Sequence, residues 1–165
     1  MHIRPPVRAD ETEFLAAVRR SRVLHHPWVK APDTSEAFVT YVMKQQNERF
    51  TSFLICFDEP STLIGVVNLS EIVLGSFRSA YLSYYAFLPH AGRGLMKDGL
   101  AEVVTHAFTM LKLHRLEANI QPRNLRSKAL VKKLGFRREG LSRRYLKING
   151  RWRDHERWAI LAEDW

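Results

Sequence analysis

The chain has 165 residues, a length that suits one domain over 1–165 with one core, and its 45% apolar and 11% aromatic content excludes a disordered chain. Its net charge is +9, and the excess is local: from Lys112 to Arg157 there are 15 Lys and Arg against 4 Asp and Glu. Such a basic segment favours an anionic partner, whether nucleic acid, a nucleotide cofactor or an acidic surface, over a purely solubilising role.

Residues 2–4 read as a short first strand stopped by Pro5-Pro6. Asp10 is the predicted N-cap of a first helix, with Phe14, Leu15 and Val18 on one face. HHPWVKAPD, broken by Pro27 and Pro32, reads as a loop. Asp33 with Glu36 three residues later predicts a capping-box start to a second helix, continued by Phe38, Val39, Val42 and Met43. Strands follow: TSFLICF, a DEPS turn, LIGVVNLSEI and the longer SAYLSYYAFL. Next, Leu100, Val103, Val104, Ala107, Phe108 and Leu111 fall on one helical face, the clearest helix pattern in the chain. HRLEANIQ reads as a strand, and Asn124 caps a further helix that Gly135 ends. FRREGLSRRYLKI and WRDHERWAIL flank Asn149-Gly150, a type I′ hairpin dipeptide. The order β-α-α-β-β-β-α-β-α-β-β predicts a mixed α/β domain around a central sheet.

Cys56, the one cysteine, sits in the apolar run FLICF and reads as a buried core residue. A lone cysteine, an N-terminus without an apolar signal region and no run of roughly 18 apolar residues together predict a cytoplasmic protein that does not enter a membrane.

PHAGRGLMKDGL joins an apolar strand to the clearest helix. Gly92 and Gly94 supply two glycines of a G-x-G-x-x-G fingerprint, but Lys97 stands where the third belongs, and the G-x-x-x-x-G-K-[ST] loop is absent. What remains is a strand, a short glycine loop and a helix N-terminus. That arrangement aims free backbone N–H groups at one spot, where Arg93 adds charge, and it serves either an anion site or a plain strand-to-helix turn. In NLRSKALVKKLGF, Asn124 opens a helix with Ser127 at its third position.

Taken together, GRGLM opening one helix and N-x-x-S opening the next, which ends in LGF, resemble the GNAT acetyltransferases over nearly the whole chain. QPRNLRSKALVKKLGFRREGLSRRYLKINGRWRDH is similar to the RimJ/RimL branch, the ribosomal-protein N-terminal acetyltransferases, and its hairpin is closest to the RimJ type. The resemblance implies the GNAT fold with a splayed central sheet, acetyl-coenzyme A as donor and no metal. It implies that the pyrophosphate lies on the amides of Gly92, Arg93, Gly94, Leu95 and Met96, and that Ala91, Asn124 and Ser127 also belong to the cofactor site. The pantetheine arm then follows the strand end at Ala86, Phe87 and Leu88. Ala91 stands where the family motif carries Gln or Arg, and Met96 where it carries Gly or Ala. Gly99 stands where relatives usually carry Ala, at a cost of about 1 kcal/mol in helix propensity.

The resemblance also places Ser127 near the sulfur, as acid or as hydrogen-bond donor to the leaving thiolate, with an N–H near Phe87 or Leu88 for the oxyanion. Many GNATs carry a glutamate base five residues before the asparagine of N-x-x-S; here that position is Asn119, and Glu117 lies further from the strand end. An α-amine titrates at roughly 7.7–8.0 and a lysine at roughly 10.4, so a missing carboxylate favours an N-terminal acceptor. Glu71, Asp154 and His155 are candidate proton acceptors through water, beside structural roles for each. His26 and Trp28 in the first inter-helix loop, and Tyr84, Tyr85 and Tyr145, are candidates to line the acceptor groove.

Three functions remain open: an N-terminal protein acetyltransferase working near the ribosome, a small-amine acetyltransferase for an antibiotic, polyamine or amino acid, and a non-catalytic GNAT-like domain that binds RNA or the ribosome. The expected assembly is a monomer or a homodimer.

Overall fold

The computed structural model describes residues 1–57 and 62–165, so the turn expected at 58–61 lies outside the described residues. Among those residues, seven strands form one sheet in the order β1-β2-β3-β4-β5-β7-β6. They are β1 (His2–Arg4), β2 (Phe50–Phe57), β3 (Thr62–Val73), β4 (Ser79–Ala86), β5 (Arg115–Ile120), β6 (Arg137–Ile148) and β7 (Arg151–Leu161). The α-helices are α1 (Glu11–Arg20), α2 (Arg22–His25), α3 (Ser35–Met43), α4 (Leu95–Thr109) and α5 (Leu125–Lys133). The mixed α/β order matches the sequence reading, with α2 added as a helical turn that leads into the expected loop.

β2 is apolar on both faces because both are covered. Leu54 and Cys56 join Phe14, Ala17 and Val18 of α1 and Phe38 and Tyr41 of α3 on one side. Phe53 and Ile55 join Leu100, Val103, Val104 and Ala107 of α4 and Val131 of α5 on the other. The period of two along the strand therefore sorts neighbouring side chains into separate cores. Truncating a large buried member of either core costs about 2–5 kcal/mol.

Adjacent strands run antiparallel except β4 and β5, which are parallel. Their pairing is confined to Ser79–Tyr81 against Arg115–Glu117. Beyond it β4 continues to Ala86 and β5 to Ile120 with no shared register, so the sheet opens into a gap. Helix α4 makes the crossover that a parallel pair requires.

Local chemistry corrects three expectations. Asp10 precedes α1 but makes no side-chain cap; its carboxylate accepts from Arg4 at 2.8 and 2.6 Å and from the Val7 N–H at 2.7 Å. The cap of α3 is Thr34, whose hydroxyl accepts from the Ala37 N–H at 3.2 Å, in place of Asp33. β4 ends at Ala86, two residues early, because the His90 and Ala91 N–H groups both turn back onto the Phe87 carbonyl. Other local readings hold. Asn124 caps α5, and Asn149 and Gly150 take φ of 48° and 77°, as a type I′ turn requires. Gly99 also finds its reason: a Cβ there would overlap the Ile55 side chain on which α4 packs. No helix among the described residues is long and apolar enough to cross a membrane.

Candidate active site

The gap between β4 and β5 lies beside two of the motifs singled out in sequence, the glycine loop that follows β4 and the first turn of α5. The Phe87 N–H donates to the Ile64 carbonyl at 2.7 Å, which fixes the alternation of the β3–β4 ladder. Odd-numbered residues of β4 then bond to β3, and the backbone groups of Leu82, Tyr84 and Ala86 point toward β5. Past Tyr81 no β5 residue pairs with them, so β4 offers a strand edge inside the sheet.

One wall of the gap is the glycine loop. Gly92 and Gly94 hold φ of 82° and 88°, values that L side chains rarely adopt, and a Cβ on either would meet open space. Their need for glycine is conformational, not steric. Gly94 is the N-cap of α4 and contributes no side-chain cap. The Ala91 amide donates to Phe87 and the Lys97 amide to Gly94. The amides of Gly92, Arg93, Gly94, Leu95 and Met96 donate to no backbone carbonyl among the described residues. Five amides without a backbone acceptor thus stand in a row at the positive end of a 15-residue helix, the donor set that an anion site uses. Met96, unusual for the motif, lies against Gly65, where a Cβ would overlap its sulfur. The bulky side chain at the loop is accommodated by a glycine on β3.

The other wall is the N-terminus of α5, built differently. Asn124 Oδ1 accepts from the Ser127 N–H at 3.1 Å and closes the first turn. The Ser127 hydroxyl lies 2.6 Å from the Tyr84 hydroxyl, which also lies 3.1 Å from the Ser127 carbonyl. Burial pushes the Tyr84 phenol well above its usual range, and the Ser127 contact only partly opposes this. Sequence reading placed Tyr84 only as a groove-lining candidate. The strand period carried the missing signal: Tyr84 shares parity with Ala80 and Leu82, which face α4 and α5, while Tyr85 shares it with Phe87, which packs with α1.

Two amides named for the oxyanion are already committed. Phe87 N–H bonds to Ile64, and Leu88 N–H donates to the buried Ser21 Oγ at 2.9 Å. Of the paired histidines, His25 turns inward: its Nε2–H donates to the Ala86 carbonyl at 2.9 Å, and its ring packs on Tyr85 and Phe87. Burial holds its imidazole below the ordinary 6.5, against the pull of the Ala86 bond. His26 is exposed and Trp28 half-buried in the same loop. Nothing in their local sequence distinguishes the two histidines.

The remaining candidates separate. Glu71 is exposed and ion-paired with Arg49. It lines a groove of about 260 Å³ with Val73, Phe77, Tyr81 and Glu117, over the paired part of β4 and β5. Asp154 Oδ1 accepts from the Arg144 N–H at 2.8 Å, where the β6 register shifts and Arg144 has φ of 47°. Both carboxylates therefore have structural partners away from Ser127. His155 is 3% exposed, and its Nδ1–H donates to the Arg153 carbonyl at 3.0 Å, which leaves Nε2 as the acceptor nitrogen. Burial lowers its imidazole, with the Arg153 bond and Asp154 opposing. Tyr145 stacks obliquely near it at 6.3 Å and meets the Tyr81 hydroxyl at 3.2 Å. Asn119 Oδ1 is buried without a hydrogen-bond partner among the described residues.

The chain matches the acetyltransferase (GNAT) domain family over residues 1–137. It is 45% identical over 102 residues to YjcK, a probable N-acetyltransferase of Bacillus subtilis. That match covers 62% of this chain and 56% of YjcK, little more than half the relative's length. It is 33% identical over 147 residues to the ribosomal protein uS5-alanine N-acetyltransferase of Escherichia coli, covering 84% of this chain and 76% of that protein. Among solved structures, Mycobacterium smegmatis RimJ in complex with CoA-disulfide superposes with a TM-score of 0.89 at 28% identity, over 98% of this chain and 81% of that one.

Proposed function

This chain belongs to the acetyltransferase (GNAT) domain family, and we propose that it transfers the acetyl group of acetyl-coenzyme A to the free N-terminal α-amine of a protein. The observation that carries the reading is the pair of walls around one gap: open amides at Gly94 on one side and the held Ser127 hydroxyl on the other.

In this reading the pyrophosphate lies on the amides of Gly92 to Met96. Ala91 adds neither a polar side chain nor a free N–H, so the loop binds through backbone alone. The pantetheine arm pairs with the open edge of β4 at Tyr84. The Ala86 N–H, not that of Phe87 or Leu88, meets the developing oxyanion, and the Ser127 hydroxyl donates to the leaving thiolate.

The acceptor amine attacks in its neutral form. Asn119 stands at the place of the family's glutamate, and its unpartnered Oδ1 suits an amine N–H. His155, neutral with Nε2 accepting, takes the proton better than Glu71 or Asp154, whose partners are structural. An α-amine, at roughly 7.7–8.0, needs only this modest help at neutral pH, whereas a lysine needs a stronger base. The uS5-alanine relative supports the same acceptor class.

Intact-mass measurement tests the proposal. A gain of one acetyl group is expected on peptides with a free N-terminus and none on N-blocked peptides that retain lysine. Acetylation of lysine or polyamines alone overturns the acceptor class. RNA binding without release of free coenzyme A thiol overturns the enzymatic reading.

A further inference from the structure

β4 and β5 stop pairing at Tyr81 and Glu117, so backbone hydrogen bonds do not fix the width of the gap beyond that point. Tyr84 reaches across it. Its hydroxyl meets both polar oxygens of Ser127, Oγ at 2.6 Å and the carbonyl at 3.1 Å. These contacts join the middle of β4 to the first turn of α5, which Asn124 holds from its own side through the Ser127 N–H. Three polar groups of Ser127 are thereby fixed from two directions.

We infer that Tyr84 is the positioning residue for Ser127, donating its hydroxyl proton to Ser127 Oγ so that the serine proton is directed into the gap. The distances support this polarity, since Oγ at 2.6 Å is nearer to the phenol than the carbonyl at 3.1 Å. A phenol has one proton and two acceptors in reach here. Within a helix the Ser127 carbonyl already accepts from the residue four positions on, so Oγ is the acceptor with the greater need. If the phenol donates to Oγ, the serine hydrogen is the one left over, and it is available to a thiolate in the gap. If the serine instead donates to Tyr84, its proton is consumed and the hydroxyl is idle.

Burial keeps the phenol protonated across any working pH, since it moves the group away from neutrality. Tyr84 therefore acts as a fixed donor and does not itself deliver a proton. The deepest reading of Ser127 as donor to the leaving sulfur, proposed above, is what this rests on.

Three variants separate the two claims: Ser127→Ala, Tyr84→Phe and their combination, each with kcat, KM for acetyl-coenzyme A, thermal midpoint and a pH–rate profile. Tyr84→Phe retains the ring, and the fold with it. Its kcat is expected to fall roughly tenfold, the worth of one well-placed hydrogen bond, with KM for acetyl-coenzyme A within about twofold and an unchanged profile shape. The double variant is expected to be no slower than Ser127→Ala, because a positioning residue has nothing left to position. An unimpaired Ser127→Ala overturns the role of Ser127 and this inference with it. An impaired Ser127→Ala beside an unimpaired Tyr84→Phe overturns the inference alone. Additive losses in the double variant, or a Tyr84→Phe defect confined to KM and thermal midpoint, show Tyr84 to be a structural clasp and also overturn it.

Discussion

Two helix N-termini face the same gap and are finished in opposite ways. Helix α4 begins at Gly94 with no side-chain cap and with its amides open to solvent. Helix α5 begins at Asn124, which satisfies the Ser127 amide, while Tyr84 holds the Ser127 hydroxyl. A capped terminus has used its donors on itself and offers only a side chain; an uncapped one offers backbone donors and dipole. In the function proposed above, the contrast assigns each end its part: α4 receives a diffuse anion and α5 presents one directed hydroxyl. Changes at the first should act on donor binding, and changes at the second on turnover.

The largest expected effect comes from closing the open end. Gly94→Val puts a β-branched side chain at φ of 88°, where L residues pay about 1–2 kcal/mol or more and must rotate the loop to escape. KM for acetyl-coenzyme A is expected to rise roughly ten- to a hundredfold, with kcat at saturation much less affected. A fall in kcat at unchanged KM breaks the assignment of this end to donor binding.

The capped end gives a smaller effect of the opposite kind. Asn124→Ala removes the acceptor of the Ser127 N–H and is expected to lower folding stability by about 1 kcal/mol. Because that bond seats Ser127, kcat falls while KM for acetyl-coenzyme A stays near its starting value; Asn124→Asp retains both. Denaturant unfolding with parallel kinetics checks the pair. A rise in KM equal to that of Gly94→Val erases the distinction between the termini.

The same contrast explains what was legible in the sequence. Gly94 and Asn124 act through backbone conformation and local caps, so a short stretch of sequence contains their whole cause. The hairpin at Asn149-Gly150 and the stop at Gly135 were legible for the same reason. Where two capping residues stood in a row, Asp33 was read in place of Thr34, because both can accept from an amide and only the chain path selects one. Asp10 was read as a cap because Arg4, its actual partner, lies on a strand before the helix. The site's side-chain partners were the least legible. Tyr84 meets Ser127 across 43 positions, and Ser21 takes the Leu88 amide across 67. No local pattern encodes such meetings, although the parity of β4 already separated Tyr84 from Tyr85.

The smallest effect concerns the strand end that lies between the two termini. His25 ties α2 to the Ala86 carbonyl while neutral, and burial holds its imidazole below the ordinary 6.5. Below that value the unfolded chain binds a proton that the folded site resists, so stability rises with pH through this window. The contribution is full above 6.5 and is lost as pH falls toward the depressed folded value. His155, lowered for the same reason, adds to the slope in the same direction. His25→Gln retains a donor for Ala86 but does not titrate. Thermal midpoints measured from pH 7.5 down to about 5 are therefore expected to fall for the parent chain and to fall less steeply for the variant, with the residue of the slope due to His155. Identical slopes in the two proteins would show that protonation of His25 is not resisted.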